Sequence, residues 1–312
     1  MKLAMVFPGQ GSQSVGMLQA YAGLPEVDAV RAEAISALGA DFLKIIDEGP
    51  AEQLSLTVNT QPAMVTAGVA AYRAWRALGG PAPAVVAGHS LGEYSAMVAA
   101  GSLSFKDALP LVRFRAQSMQ EAVPEGQGAM AAILGLDDDA ARAACAEAAQ
   151  GEAVQAVNFN APGQVVIAGH KNAVARAIDA CKARGAKRAM SLPVSAPFHS
   201  SLMKPAGEKL AGYLKSVAIN APAISLINNV DVAIESNPES IRSALVRQAA
   251  SPVRWVETIR LMASQGVTHV VECGPGKVLA GLVKRIDANL QGIAAHDRAS
   301  LEQALATVKG GG

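Results

Sequence analysis

Residues 85–99 read VVAGHSLGEYSAMVA, and this stretch decides the fold class. A short apolar run at 85–87 predicts a strand, and the pattern from Glu93 to Ala100 predicts a helix. Between the two lies G-x-S-x-G, which is typical of a tight strand-to-helix turn. Short β-rich runs and longer Ala-rich segments alternate elsewhere, with a strand predicted at 3–7 and a helix after Pro62. We therefore predict an α/β domain with a mostly parallel sheet.

The composition suits a folded enzyme and argues against several other classes of protein. Of 312 residues, 51% are hydrophobic and 17% are charged, which is typical of a compact chain and not of a disordered one. A formal net charge of +1 provides no global field that would attract nucleic acid or a membrane surface. Cys145, Cys181 and Cys273 form no C-x-x-C pair, which argues against a disulfide framework and a zinc–thiolate site.

Two features of the apolar segments predict where the protein resides. The run before Pro8 is too short for the core of a signal peptide. No apolar stretch approaches the roughly 20 residues that cross a bilayer. We therefore expect a cytoplasmic protein that makes no use of a membrane.

The middle of the chain has a different order of predicted strands and helices. Strands are predicted at 128–136, 154–158, 164–168 and 187–193, and helices at 138–149 and 172–183. The resulting order, β-α-β-β-α-β, is that of a ferredoxin-like unit. We predict a large α/β catalytic domain formed by residues 1–126 and 194–312, with a small ferredoxin-like subdomain inserted at 127–193.

Ser90, at the centre of the strand-to-helix turn, is the candidate nucleophile. Glycine on both flanks lets the backbone bend sharply, and backbone N–H groups at the helix start lie beside the hydroxyl. The alternative is a serine that only caps the helix. As a nucleophile, a serine hydroxyl needs a base within hydrogen-bond reach, most often a histidine.

Two histidines are candidates for that base. His199 lies in a proline-bounded loop where the chain returns to the large domain, and such loops often carry site residues. His296 lies near the C-terminus, where an α/β-hydrolase keeps its catalytic histidine. Position alone favours His199 only modestly, so His296 stays the alternative. His89, His170 and His269 suit structural roles.

Several segments together resemble one known family over essentially the whole chain. They are FPGQGSQ at 7–13, TQPA at 60–63, GHSLGEY at 88–94, Arg115, NFNAPGQ at 158–164, the loop around His199, and ECGPG at 272–276. The sequence is similar to the malonyl-CoA:acyl carrier protein transacylases of bacterial fatty-acid synthesis. The resemblance implies an α/β-hydrolase-like core and transfer of malonyl from coenzyme A to the carrier's phosphopantetheine thiol through a serine ester.

The resemblance also implies how the residues around Ser90 act. His199 would be the general base and later the general acid, oriented by the backbone carbonyl of Gln248. No carboxylate would be needed as a third member. The backbone N–H groups of Gln10 and Leu91 would form the oxyanion hole.

The substrate-binding residues that the resemblance implies are Arg115, Gln10, Phe198 and Asn160. A planar guanidinium can hold the malonyl carboxylate through two parallel hydrogen bonds. Without the resemblance, Arg115 is only one cation on a solvated helix face. The bulk of Phe198 would exclude the extra methyl group of methylmalonyl, although family members with serine at this position also use malonyl.

The predicted partners are malonyl-CoA and an acyl carrier protein, and the chain is expected to act as a monomer without a metal or redox cofactor and without nucleic acid. Residues 9–14 do not complete a dinucleotide-binding fingerprint, because position 14 is serine. Carrier proteins are acidic, which predicts a basic patch near the cleft. The candidates are Lys187, Arg188, Lys204, Lys277, Lys284 and Arg285.

Two other functions stay open as alternatives. An α/β-hydrolase acting as an esterase or thioesterase would use Ser90, an acidic residue and His296, and it would have no use for Arg115. A non-catalytic module that binds carrier proteins would need none of Ser90, His199 and Arg115.

Overall fold

The computed structural model describes residues 1–194 and 196–310, and these form two sheets surrounded by helices. The strands are β1 (Leu3–Phe7), β2 (Val85–Gly88), β3 (Gly128–Leu134), β4 (Val154–Ala161), β5 (Gln164–His170), β6 (Arg188–Ser191), β7 (Ser225–Ile227), β8 (Ile234–Glu235), β9 (His269–Cys273) and β10 (Gln291–Ala295). The large sheet has the order β10-β9-β1-β2-β7-β8 and is parallel except for β8. The prediction of a mostly parallel α/β sheet is confirmed.

The helices cover both faces of the large sheet and one face of the small one. They are α1 (Pro25–Leu38), α2 (Ala40–Glu48), α3 (Ala51–Ser55), α4 (Thr57–Ala77), α5 (Gly92–Ala99), α6 (Phe105–Glu121), α7 (Asp138–Ala149), α8 (Lys171–Ala183), α9 (Lys204–Leu214), α10 (Pro238–Gln248), α11 (Trp255–Ser264), α12 (Val278–Ile286) and α13 (Arg298–Gly310). Among the described residues, none of these helices has the length and apolar character needed to span a membrane.

The central strands are apolar because helices bury them from both sides. All five residues of β1 are buried, and their side chains alternate between two cores. Met5 and Phe7 pack into the core that includes α1, α4 and α6. Ala4 and Val6 pack into the core formed with α11 and α12. Strand β1 is therefore held from both sides, and β2 pairs with it directly.

The small sheet is antiparallel, with the order β4-β5-β3-β6. The helices α7 and α8 cover it with a core of their own. Strand β4 also touches the rest of the chain through backbone hydrogen bonds, from Val253 N to Val157 O at 2.8 Å and from Phe159 N to Val253 O at 3.0 Å. These bonds tie β4 to the segment that follows α10, close to the candidate site.

Three predicted boundaries near the site are wrong by several residues. The helix predicted after Pro62 begins at Thr57. Pro62 lies in its second turn and removes only the one N–H that would bond to the Val58 carbonyl. The burial of Thr60 and Gln61 in the same turns supports the longer helix. Strand β4 continues to Ala161, because the connecting hairpin turn is shorter than predicted. Strand β5 continues to His170, because its last residues pair with Gly128 and Ala129 of β3.

Candidate active site

Ser90 sits on a sharp turn that only its glycine neighbours allow. It follows β2, precedes α5 and has a φ of 52°, a conformation that costs a non-glycine residue about 1–3 kcal/mol. A Cβ atom on Gly88 would lie 1.8 Å from the Gly92 carbonyl carbon, and one on Gly92 would lie 2.1 Å from the Phe7 oxygen. The backbone is packed too closely for any side chain at these two positions, so the motif has a steric cause.

Replacing Gly88 by alanine should therefore lower the free energy of unfolding by about 3 kcal/mol, because the backbone of α5 would have to move. Gly212→Ala is the matched control, since Gly212 is exposed in α9 and an added Cβ would meet no atom within 4 Å. That variant should gain about 0.5–1 kcal/mol. Chemical denaturation followed by circular dichroism measures both, and equal stabilities would contradict the tight turn.

His199 is positioned as a base for Ser90. The Ser90 hydroxyl lies 2.6 Å from His199 Nε2, and His199 Nδ1 lies 3.0 Å from the backbone oxygen of Gln248. A carbonyl oxygen can only accept, so Nδ1 carries the proton and the lone pair of Nε2 faces the serine. The predicted pair and the predicted orienting carbonyl are therefore brought together.

The surroundings of His199 keep its ring neutral. The residue is only 4% exposed. Burial first, and the positive charge of Arg115 second, lower the pKa of His199 to about 3. A neutral imidazole at any pH near 7 is the form that can accept a proton from the serine.

Arg115 is buried in α6, so the alternative of a solvated helix face is wrong. The residue is 2% exposed, and its guanidinium lies 5.5 Å from the centre of the Tyr94 ring. Nη1 donates to Gln61 Oε1 and Nη2 donates to Gln248 Oε1, both at 2.8 Å. Nη2 also lies 3.4 Å from Ser90 Oγ. Within the described part of the chain, Nε has no hydrogen-bond partner.

The backbone around the serine offers two unused N–H groups. Gly9 packs so closely on the turn that a Cβ there would lie 2.8 Å from the His89 oxygen. The next residue, Gln10, lines the same cleft as Ser90. In residues 1–194 and 196–310, no backbone hydrogen bond engages the N–H of Gln10 or Leu91. Both are free to bind an oxyanion.

A cleft of about 340 Å³ opens over Ser90 between the large sheet and the small one. Besides the residues above, its walls include Met130, Asn158, Asn160, Phe198, Val278 and Leu282. His89 Nε2 donates to Asn160 Oδ1 at 2.7 Å, so His89 joins the turn to β4 and does not bond to Ser90. The predicted site residues Phe198 and Asn160 therefore lie in the cleft.

Asn158 is a cleft residue that the sequence analysis missed. Its Oδ1 atom is buried without a hydrogen-bond partner among the described residues. Its position two residues before Asn160 on one strand was the available signal, because alternate residues of a strand share a face.

The remaining histidines lie outside the cleft. His296 follows β10, its side chain is 37% exposed, and its Nε2 lies 3.6 Å from the carboxylate of Asp297. His170 Nδ1 accepts the backbone N–H of Ala153 at 2.9 Å, a structural contact. The structure does not bring His296 to Ser90.

The chain is similar to known proteins over almost its whole length. The acyl transferase domain family matches residues 4–296. The malonyl CoA-acyl carrier protein transacylase of Escherichia coli (strain K12) is 57% identical over 305 residues, which are 97% of this chain and 99% of the relative. That of Bacillus subtilis (strain 168) is 46% identical over 310 residues, which are 99% and 98% of the two chains.

Solved structures show the same fold. An acyl-carrier-protein S-malonyltransferase from Burkholderia pseudomallei 1710b has a TM-score of 0.96 and 63% identity, covering 98% of this chain and 99% of that chain. A type II PKS acyl-carrier protein in complex with its malonyl-transacylase provides another, with a TM-score of 0.96, 54% identity and coverage of 98% and 100%. This chain therefore belongs to the acyl transferase domain family and, within it, to the malonyl CoA-acyl carrier protein transacylases.

Proposed function

We propose that this acyltransferase moves a malonyl group from malonyl-CoA to the phosphopantetheine thiol of an acyl carrier protein through an ester on Ser90. The observation that carries the proposal is the pairing of a neutral base with a buried cation at one hydroxyl. His199 Nε2 lies 2.6 Å from Ser90 Oγ, and Arg115 Nη2 lies 3.4 Å from the same atom. A cation fixed beside the nucleophile suits an acyl group that itself ends in a carboxylate.

The first half of the reaction loads the enzyme. Ser90 Oγ attacks the thioester carbonyl carbon while His199 Nε2 takes the hydroxyl proton. The backbone N–H groups of Gln10 and Leu91 bind the resulting oxyanion. When the C–S bond breaks, the thiolate of coenzyme A receives the proton from His199, and the malonyl group remains on Ser90.

The second half unloads the enzyme onto the carrier. The phosphopantetheine thiol loses its proton to His199 Nε2 and attacks the ester carbonyl. The C–O bond to Ser90 then breaks, and His199 returns the proton to the serine oxygen. Each step uses only this chain's residues and the two thiols, so we expect no metal or redox cofactor.

Arg115 selects the acyl group in this mechanism. Its Nη2 lies beside Ser90 Oγ, and a planar guanidinium can hold a carboxylate through two parallel bonds. Gln10, Asn160 and Phe198 complete the proposed substrate contacts, since all three line the cleft. The bulk of Phe198 limits the room for a methyl branch.

The loading rate should stay nearly constant between pH 8 and pH 5. The pKa of His199 is lowered, so its base form persists as the pH falls, whereas an ordinary histidine would lose about tenfold in rate per unit below pH 6.5. Rapid-quench measurement of the malonyl enzyme tests this. Glu93→Gln is the control, because burial raises the pKa of Glu93 to about 7 and it would titrate in this range. A tenfold fall per unit in both proteins would contradict a desolvated His199.

A transfer assay tests the function itself. Malonyl-CoA and the enzyme are incubated with a carrier protein that bears phosphopantetheine, beside the same carrier without it. We expect malonyl on the phosphopantetheine form alone. Free malonate with an unmodified carrier would favour the hydrolase, and a carrier that is bound without any reaction would favour the binding module.

The carrier should approach over the mouth of the cleft. The six candidate cations are Lys187, Arg188, Lys204, Lys277, Lys284 and Arg285, and all are exposed. We expect an acidic carrier to be attracted by those of the six that border the cleft. The family resemblance favours a carrier protein of fatty-acid synthesis. One similar solved structure contains instead the acyl-carrier protein of a type II PKS.

We also propose that residues 127–193 are a ferredoxin-like subdomain inserted into an α/β-hydrolase-like catalytic domain formed by 1–126 and 194–312. The element order β3-α7-β4-β5-α8-β6 and the antiparallel order β4-β5-β3-β6 support this division. The monomeric state and the cytoplasmic location stay predictions.

A further inference from the structure

A buried acidic residue behind Ser90 has no part in the steps above. Glu93 lies three residues after Ser90 in α5 and is 1% exposed. Its Oε2 atom accepts two hydrogen bonds, from Gln248 Nε2 at 2.9 Å and from the backbone N–H of Asn229 at 3.0 Å. Burying a carboxyl group costs free energy unless hydrogen bonds within the protein compensate for its lost hydration. The two donors show what Glu93 holds in place.

The first donor, Gln248, has its side-chain amide fixed in one orientation. Its Nε2 donates to Glu93 and, at 3.0 Å, to the backbone oxygen of Ser90, while its Oε1 accepts from Arg115. A flipped amide would place its oxygen against two other oxygens and its NH2 against the guanidinium. Glu93 therefore stabilises the orientation that holds Arg115. The backbone carbonyl of the same residue orients His199.

The second donor, Asn229, bridges the strained turn. Its Oδ1 accepts the backbone N–H of Ser90 at 2.7 Å, and its Nδ2 donates to the backbone oxygen of Gly88 at 2.7 Å. Both bonds hold the backbone that carries Ser90 at a positive φ. Through its own N–H, Asn229 is in turn held by Glu93.

We propose that Glu93 is a positioning residue for acyl transfer, which through Gln248 and Asn229 holds Arg115 and Ser90 in their reacting geometry. This inference rests on the proposed function. Glu93 acts as a correctly placed acceptor, and its negative charge is not what the network needs. A glutamine at this position can present an amide oxygen to both donors. An aspartate is one methylene shorter, so its carboxylate oxygen would lie too far from them.

The test compares Glu93→Ala, Glu93→Gln and Glu93→Asp in rapid-quench loading with malonyl-CoA and with acetyl-CoA, over a range of concentrations. Misplacement of reacting groups by about 1 Å can cost about 10²-fold in rate. We expect Glu93→Ala to lose about that much of the maximal malonyl rate and to lose malonyl preference. The malonyl loading rate of Glu93→Gln should stay within about tenfold of wild type, and that of Glu93→Asp should be lower than that of Glu93→Gln.

Glu272→Ala is the matched control for removing a buried carboxyl group. Glu272 is fully buried, and its Oε2 accepts the backbone N–H of Ala280 at 2.8 Å. Within the described residues, its side chain makes no hydrogen bond to Ser90 or Gln248. The Glu272→Ala variant should be less stable than wild type but should keep the wild-type preference for malonyl over acetyl.

Three results would overturn the inference alone, provided that wild type forms the malonyl enzyme. The first is a Glu93→Ala variant that keeps the wild-type loading rate and malonyl preference. The second is a Glu93→Gln variant that loads no faster than Glu93→Asp. The third is a Glu272→Ala variant that loses as much malonyl preference as Glu93→Ala. If Glu93→Ala does not fold, the comparison of Glu93→Gln with Glu93→Asp decides. A wild-type protein that forms no malonyl enzyme would overturn the proposed function, and this inference with it.

Discussion

Replacing His199 by alanine is expected to slow malonyl loading of Ser90 by about 10²–10⁴-fold, the usual contribution of a positioned general base. The serine keeps its place on the turn, but among the described residues no other imidazole bonds to its hydroxyl, and His89 bonds to Asn160 instead. Rapid-quench loading with malonyl-CoA measures the effect. The maximal rate should fall while the concentration dependence changes little, since Arg115 is untouched.

His296→Ala is the matched control for this prediction. His296 is partly exposed beside Asp297 and lies outside the cleft, so its loss should leave the loading rate unchanged. The hydrolase alternative expects the opposite pattern. A large loss of rate in His296→Ala, with His199→Ala near wild type, would replace the pairing proposed here.

Arg115→Ala is expected to reduce the preference for malonyl over acetyl by about 30-fold or more. Truncating one partner of a buried, hydrogen-bonded charge pair costs about 2–5 kcal/mol, and about 1.4 kcal/mol corresponds to tenfold. An acetyl group has no carboxylate that could bind to Arg115, so the rate of acetyl loading should change less. Arg115→Lys should recover only part of the preference, because an ammonium cannot make two parallel bonds.

Arg113→Ala provides the control for this second prediction. Arg113 lies on the same helix, with its guanidinium 5.2 Å from the centre of the Phe42 ring, and it does not line the cleft. Competition between malonyl-CoA and acetyl-CoA, read as the ratio of the two enzyme adducts, measures the preference. An unchanged ratio in Arg115→Ala would show that the malonyl carboxylate is bound elsewhere.

Much of the fold near the site could be predicted because its signals are local. The strand-to-helix turn follows from the glycines around Ser90, whose steric role the structure explains. Helix α7 has the predicted bounds, since the side chain of Asp137 caps it by accepting the N–H of Ala140. Signals of this kind act over three or four residues.

Other elements carry no such local signal. Strand β10 reads QGIAA, which has a weak β propensity, and it forms by pairing with β9. Its Gly292 is needed because a Cβ there would lie 2.2 Å from the Ala280 oxygen. The early start of α4 before Pro62 likewise depends on tertiary packing. Long-range contacts decide these elements, and a single sequence does not display them.

The candidate site divides in the same way. Ser90 is predictable from its motif, whereas position alone left His199 and His296 as competing candidates until the family resemblance favoured His199. The burial of Arg115 and the bond between Glu93 and Gln248, 155 residues apart, depend wholly on the fold. A charged residue one helical turn after the nucleophile was the only signal for Glu93.

The most direct test of the central claim is the intact mass of the protein after incubation with malonyl-CoA, for wild type and for Ser90→Ala. We predict one malonyl group on each wild-type chain, mapped to Ser90, and none on the variant. An adduct that persists in Ser90→Ala, or turnover of malonyl-CoA through an enzyme that never carries malonyl, would contradict the serine ester.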